Sequence, residues 1–287
     1  MTEPTARPDG YPGSPPARPA GPGASAGPTL GGLEVVEASV AFAGHRVVDR
    51  VSLAIRPGTI LGLVGESGSG KTTLARAIVG SVALAGGSIR LDGSDLGRRR
   101  SSAERRAVQL VQQDPFASLN PLLTVGQVLD DLLREERLTS PTEPGGRRPR
   151  LARQQRAADL LALVGLPSDA LGRYPREFSG GQRQLIAIAR ALAVQPRVLV
   201  ADEPTSSLDV SVQRTVLDVI AGLGRGMQLA TLLISHDLSV VHAVCDEVAV
   251  MRDGVLLELA PAGRFFRHPG HPYSRALLEA VPRLPGR

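Results

Sequence analysis

The run Thr59-Ile60-Leu61-Gly62-Leu63-Val64 leads straight into Gly65-Glu66-Ser67-Gly68-Ser69-Gly70-Lys71-Thr72. Its first six residues are short and almost wholly apolar, the pattern of a buried strand in a parallel sheet. The next eight match G-x-x-x-x-G-K-[ST], a phosphate-binding loop. Glycines at 65, 68 and 70 permit backbone angles closed to other residues, so successive N–H groups can curl around phosphate oxygens. A helix opening at Lys71 adds the partial positive charge of its N-terminus. Lys71 then reaches the β- and γ-phosphates, the Thr72 hydroxyl can ligate Mg²⁺, and Thr73 shares the first helical turn. A strand before and a helix after distinguish this loop from a chance Gly-rich turn.

Lys71 is also the only lysine. Basic residues number 33 against 28 acidic, a net charge of +5, and the other 32 basic residues are arginine. No lysine pool supplies a diffuse cationic surface. Five arginines lie between Gly145 and Arg156 with no acid among them, which matches the whole net charge. That segment reads as a solvated loop leading into a helix in preference to a site for lipid headgroups or RNA.

Downstream, Val198-Leu199-Val200-Ala201-Asp202-Glu203 is an apolar strand ending in two carboxylates. In a parallel sheet both emerge at the carboxyl edge, where ligands bind. Asp202 suits a place at Mg²⁺, and Glu203 suits polarising the water that attacks a γ-phosphate. Phe178-Ser179-Gly180-Gly181-Gln182-Arg183-Gln184 opens another helix with a hydroxyl residue and two glycines, again an anion site. Two phosphate-binding helix ends in one chain need not face one nucleotide. Two chains arranged head to tail account for both.

The rest of the chain is consistent with an α/β protein. Its 287 residues are 42% hydrophobic, enough for a real core. Residues 1–32 hold eight Pro and seven Gly and are expected to form a disordered tail. Strands are expected at Leu33–Glu37, Val47–Ile55, Ser88–Leu91, Ala107–Gln112, Leu229–Ile234 and Val248–Met251. Helices fit Val125–Leu138, Arg153–Val164, Gly180–Val194, Ser211–Gly222 and Leu238–Val244, which makes residues 114–178 an inserted helical subdomain. The single cysteine, Cys245, excludes an internal disulfide and any Cys-based zinc or iron–sulfur site. No apolar run approaches the roughly 18 residues that span a bilayer, and the N-terminus lacks the apolar core of a signal peptide. A pI of about 10.2 invites a nucleic-acid reading, but aromatics are 3% with no Trp, poor material for stacking bases.

Taken together, the order and spacing of Gly65–Thr72, Ser179–Gln182, Val198–Glu203, Ser207-Leu208-Asp209 and His236 resemble the ATP-binding subunit of an ABC transporter. The resemblance runs from about Leu33 to the C-terminus. It implies a P-loop NTPase core with a mixed sheet, an N-terminal antiparallel β subdomain and the helical insert, together spanning residues 33–262. It implies that Gln113 touches Mg²⁺ and senses a permease. Ser179, Gly180, Gly181 and Gln182 would close over the partner's γ-phosphate, with Asp209 at the dimer seam, His236 on the γ-phosphate and Phe42 on the adenine. Gln113-Asp114-Pro115-Phe116-Ala117-Ser118-Leu119-Asn120-Pro121 and the tail at 263–287, with Phe265-Phe266-Arg267-His268-Pro269-Gly270-His271-Pro272-Tyr273, resemble the peptide and nickel importers. At Gln184-Leu185 the signature helix departs from the Gln-Arg of that family. Prolines beside His268 and His271, with no carboxylate or Cys close by, weigh against a metal pair.

The implied activity is ATP hydrolysis with Mg²⁺, energising import of peptides or a related solute. The implied partners are a second ATPase subunit, two integral membrane permeases and, indirectly, an extracytoplasmic solute-binding protein. The implied location is the cytoplasmic face of the cell membrane, with no nucleic acid. The alternative is a soluble ABC ATPase acting on nucleic acid or ribosomes.

Overall fold

The computed structural model describes residues 31–115, 119–135 and 150–280. Residues 1–30 of the expected N-terminal tail, Phe116 to Ser118 and the arginines at 147 and 148 lie outside them, as does the chain after Ala280.

In chain order the elements are β1 (Leu33–Phe42), β2 (His45–Ile55), β3 (Ile60–Val64), α1 (Lys71–Val79), β4 (Gly86–Leu91) and β5 (Ser94–Asp95). Next come α2 (Ser102–Ala107), β6 (Val108–Val111), α3 (Val125–Glu135) and α4 (Arg150–Leu163), with 3₁₀ turns at Ser168–Gly172 and Pro175–Glu177. Then follow α5 (Gly180–Leu192), β7 (Val198–Asp202), α6 (Val210–Gly226), β8 (Ala230–Ile234) and α7 (Leu238–Val244). The last are β9 (Glu247–Arg252), β10 (Val255–Pro261), α8 (Ala262–Arg267) and α9 (Pro272–Glu279).

Two sheets form. An antiparallel sheet has the order β2-β1-β4-β5, and a mixed sheet has the order β10-β9-β3-β8-β7-β6, parallel except at the β9–β10 hairpin. The expected α/β architecture is what the chain adopts. Period-2 alternation divides the core of the mixed sheet into two halves. Leu61, Leu63, Val200, Leu232 and Ile234 face one side, packed with α1 and the antiparallel sheet. Ile60, Val64, Leu199, Leu233 and Val250 face the other, packed with α5, α6, α7 and the helices between β6 and α5. Every residue of β3 and β8 is buried, as their largely apolar runs require.

Several elements escape the sequence reading. Helix α2 buries no side chain and is set by a capping box, Ser101 with Glu104, so it shows no apolar periodicity. Strand β10 forms because Asp253 and Gly254, both at positive φ, fold it back on β9. The helix expected from Arg153 starts three residues earlier, and not all of its arginines are solvated. Arg150, Arg153 and Arg156 stand within α4, and Arg153 is buried, its Nε 2.5 Å from Asp130 Oδ1 on α3. This pair joins the two helices. Arg153→Ala leaves Asp130 short of a charged partner and is expected to cost about 1–3 kcal/mol. A urea midpoint equal to wild type would show that the pair carries nothing. Burial pushes the Cys245 thiol up to about 12, so it packs as a core atom and not as a nucleophile or ligand.

Candidate functional site

Strands β3, β8, β7 and β6 are parallel neighbours, so their carboxyl ends share one edge of the sheet. Leu63 and Asp202 both pair with Ile234, and Val111 pairs with Ala201. From those ends emerge the Gly65–Thr72 loop, Ser235-His236, Asp202-Glu203 and Gln112-Gln113. Residues scattered over more than 170 positions are thereby brought to one crevice, where ligands of such sheets bind.

The loop is shaped by backbone pressed against backbone. At Gly65 a Cβ would lie 2.0 Å from the Met251 carbonyl oxygen, and at Gly70 it would lie 2.7 Å from that of Val47. Both glycines have positive φ, so a side chain is excluded twice over. Gly68, also at positive φ, faces open space. The Gly254 N–H donates to Ser69 O at 3.1 Å and ties the loop to the β9–β10 turn. Glu66 and Ser67 are exposed, and Thr73 is half-buried in the first turn of α1.

Lys71 is buried. Its ammonium donates to Gly65 O and Glu66 O, each at 2.8 Å, and to Ser69 Oγ at 3.2 Å. Burial pulls its pKa below the ordinary lysine value, while Glu203, Asp202 and Glu66 hold it up. The Thr72 hydroxyl donates to Asp202 Oδ1 at 3.2 Å. Burial raises Asp202 above the usual carboxylate range; the Thr72 hydrogen bond opposes this and the Glu203 charge adds to it. Glu203 sits at φ +48°, a left-handed conformation that costs about 1–2 kcal/mol in a residue with a Cβ. Its N–H donates to Ile234 O at 3.0 Å, continuing the ladder. Glu203 Oε2 then lies 3.3 Å from His236 Nδ1.

This arrangement fits a nucleoside triphosphate. A buried ammonium has carbonyl and hydroxyl oxygens as its hydrogen-bond partners, at the start of a helix, beside a glycine cradle open at Gly68. The oxygens of Thr72 and Asp202 fit a divalent cation. Among the described residues no group of three or more His, Cys, Asp or Glu is placed to hold a metal, so a cation here would share its coordination with phosphate oxygens.

A second cluster forms at the start of α5. Ser179 Oγ accepts the Gln182 N–H at 3.3 Å, and Gln182 Oε1 accepts the Ser179 N–H at 3.0 Å, a closed capping box. A Cβ on Gly181 would meet Val212 Cγ1 at 2.0 Å, and one on Gly180 would meet Leu208 Cδ2 at 3.3 Å. Asp209 caps α6, accepting the Val212 N–H at 3.2 Å and the Ser211 hydroxyl at 3.1 Å. Ser179, Gly180, Gly181, Gln182 and Asp209 thus gather at the facing starts of α5 and α6. Within this chain they form a cluster of their own, separate from the hydrogen bonds around Lys71.

Gln113 is exposed two residues beyond β6. The residue before it is held by a side chain to which the sequence reading assigns no role: buried Gln184 donates its carboxamide N–H to Gln112 O at 3.1 Å. Phe42 is half-exposed at the end of β1, paired across the hairpin with His45. The same hairpin supplies Val47, whose carbonyl abuts Gly70.

A family model for ABC transporters matches residues 48–206. A protein of Brucella ovis, provisionally named a peptide import ATP-binding protein, is 44% identical over 240 residues, 83% of this chain and 73% of that protein. A Brucella abortus protein given the same name is 46% identical over 242 residues, 83% of this chain and 70% of its own length. Among solved structures, CbiO1 from Clostridium perfringens, part of the ABC transporter complex CbiONQ, superposes with a TM-score of 0.73 at 23% identity. That match covers 88% of this chain and 96% of CbiO1, a likeness of fold.

Proposed function

The chain belongs to the ABC transporter family as its ATP-hydrolysing subunit, and from that premise we propose that it energises import of peptides through separate membrane permeases. One observation carries the catalytic part of this reading: Lys71, the Thr72–Asp202 pair and the Glu203–His236 pair meet at one sheet edge. The relatives named for peptide import support the solute class.

In this reading ATP lays its phosphates along Gly65 to Thr72, and Phe42 stacks on the adenine. Lys71 turns its ammonium from the Gly65 and Glu66 carbonyls to the β- and γ-phosphates. Thr72, Asp202 and Gln113 would hold Mg²⁺, which when bound would neutralise charge on the phosphate oxygens. Glu203 takes a proton from water as its oxygen bonds to the γ-phosphorus and the bond to the bridging oxygen breaks, leaving ADP and phosphate. His236 holds Glu203 and faces the γ-phosphate. Ser179 to Gln182 close over the nucleotide of a second ATPase subunit, with Asp209 at the seam. This assigns a role to an α5 cluster that stands apart from Lys71 in its own chain.

No helix among the described residues is long and apolar enough to cross a membrane, which suits a subunit docked on permeases at the cytoplasmic face. Residues 33–262 form the ATPase domain, with a helical insert at about 114–178 near which the permeases dock, and 263–287 form the tail.

Peptide uptake by cells is expected to fall to background when the chain is deleted. It should return with the wild-type chain and not with Glu203→Gln. Uptake unaffected by deletion overturns the peptide reading; salt-sensitive RNA binding by the purified chain would favour action on nucleic acid instead.

A further inference from the structure

Phe265 is fully buried, and the Phe266 ring packs edge-on against His242 at 4.5 Å, seating α8 on α7. Glu258 of β10 accepts the N–H groups of Gly270 at 2.7 Å and His271 at 2.9 Å. His271 Nδ1 accepts the Tyr273 N–H at 3.1 Å and caps α9, with Pro272 at its first position. These contacts place Tyr273 against the phosphate loop. Its side chain is buried, the Arg252 guanidinium lies 4.8 Å over its ring, and its hydroxyl oxygen accepts the Glu66 N–H at 3.4 Å.

A peptide unit is planar, so its N–H and C=O point in opposite directions. The unit joining Gly65 to Glu66 is held at both ends: its N–H by Tyr273, its carbonyl by Lys71 Nζ at 2.8 Å. Hydrogen bonds in such a chain polarise and strengthen one another. We propose that Tyr273 is a positioning residue of the nucleotide site, its hydroxyl fixing the Gly65–Glu66 peptide and through it the resting place of Lys71. Without that hydroxyl the peptide is free to tilt, and ATP binding must then order a loop that is otherwise ordered beforehand. Burial raises the Tyr273 pKa above the ordinary tyrosine value, so the phenol stays neutral at working pH. This inference rests on the nucleotide reading of the loop.

Tyr273→Phe keeps the ring, its packing under Arg252 and the docking of α9. In the full-length chain it is expected to raise Kd and KM for ATP by about 2- to 10-fold, the worth of one neutral hydrogen bond. The effect on kcat should be the smaller one, and the thermal midpoint without nucleotide should hold. If the tyrosine merely docks the tail, Tyr273→Phe binds ATP as wild type does and only Tyr273→Ala lowers the midpoint. That result overturns the inference and leaves the nucleotide reading intact. Failure of the wild-type chain to bind ATP overturns both.

Discussion

Glu203→Gln is expected to lower kcat for ATP at least ~10²-fold while ATP still binds, the usual worth of a positioned general base. Amide and carboxylate are nearly the same shape, so the left-handed turn at 203 and the N–H bond to Ile234 survive the change. What disappears is the ability to take a proton from water. The side chain at 203 still lies beside His236 Nδ1, 3.3 Å away in the wild type, but without the carboxylate's charge. Hydrolysis should stall with nucleotide held, and the variant should accumulate as ATP-bound dimers that wild type only visits. Size-exclusion chromatography with ATP, beside a steady-state phosphate assay, reads both effects. Turnover at the wild-type rate would remove Glu203 from its role.

Lys71→Ala should fail one step earlier. Hydrogen bonds to charged groups are worth about 1.5–3 kcal/mol each, so losing two phosphate contacts weakens ATP binding by roughly 10²- to 10⁴-fold. Folding should change far less. In the nucleotide-free chain this ammonium satisfies Gly65 O, Glu66 O and Ser69 Oγ, but burial disfavours its charge, and the two effects oppose each other. A ligand that binds only the folded chain raises its stability by RT ln(1 + [L]/Kd). ATP should therefore raise the thermal midpoint of wild type and not that of Lys71→Ala. An equal rise in both would place the nucleotide elsewhere. The two variants thus separate binding from chemistry: one holds ATP without cleaving it, the other does not hold it.

Much of this site is legible in the sequence because its requirements are local. Gly65, Gly68, Gly70, Lys71 and Thr72 answer one another within eight residues, and an unbroken apolar run marks the strand before them. Asp202 and Glu203 are legible as carboxylates closing such a strand, whereas His236 is legible only through the family resemblance. Arg153 was not: seen among arginines it read as solvated, and only the approach of Asp130 on α3 makes it a buried partner. Helix α2 was missed because a capping box holds it without a buried face.

By itself, then, the sequence determined the phosphate loop, the strand–helix alternation and the kinds of residue that could do the chemistry. Each of these depends on backbone angles and apolar periodicity within a few turns of chain. Only the tertiary structure decided which strands are neighbours, and hence that residues 65, 113, 203 and 236 share an edge. It alone set the Met251 carbonyl against Gly65, and placed Tyr273 on Glu66 across 207 positions. Periodicity tells a strand which face to bury but not which neighbour to bury it against. That choice belongs to the packing of the whole core, and the geometry of the site follows from it.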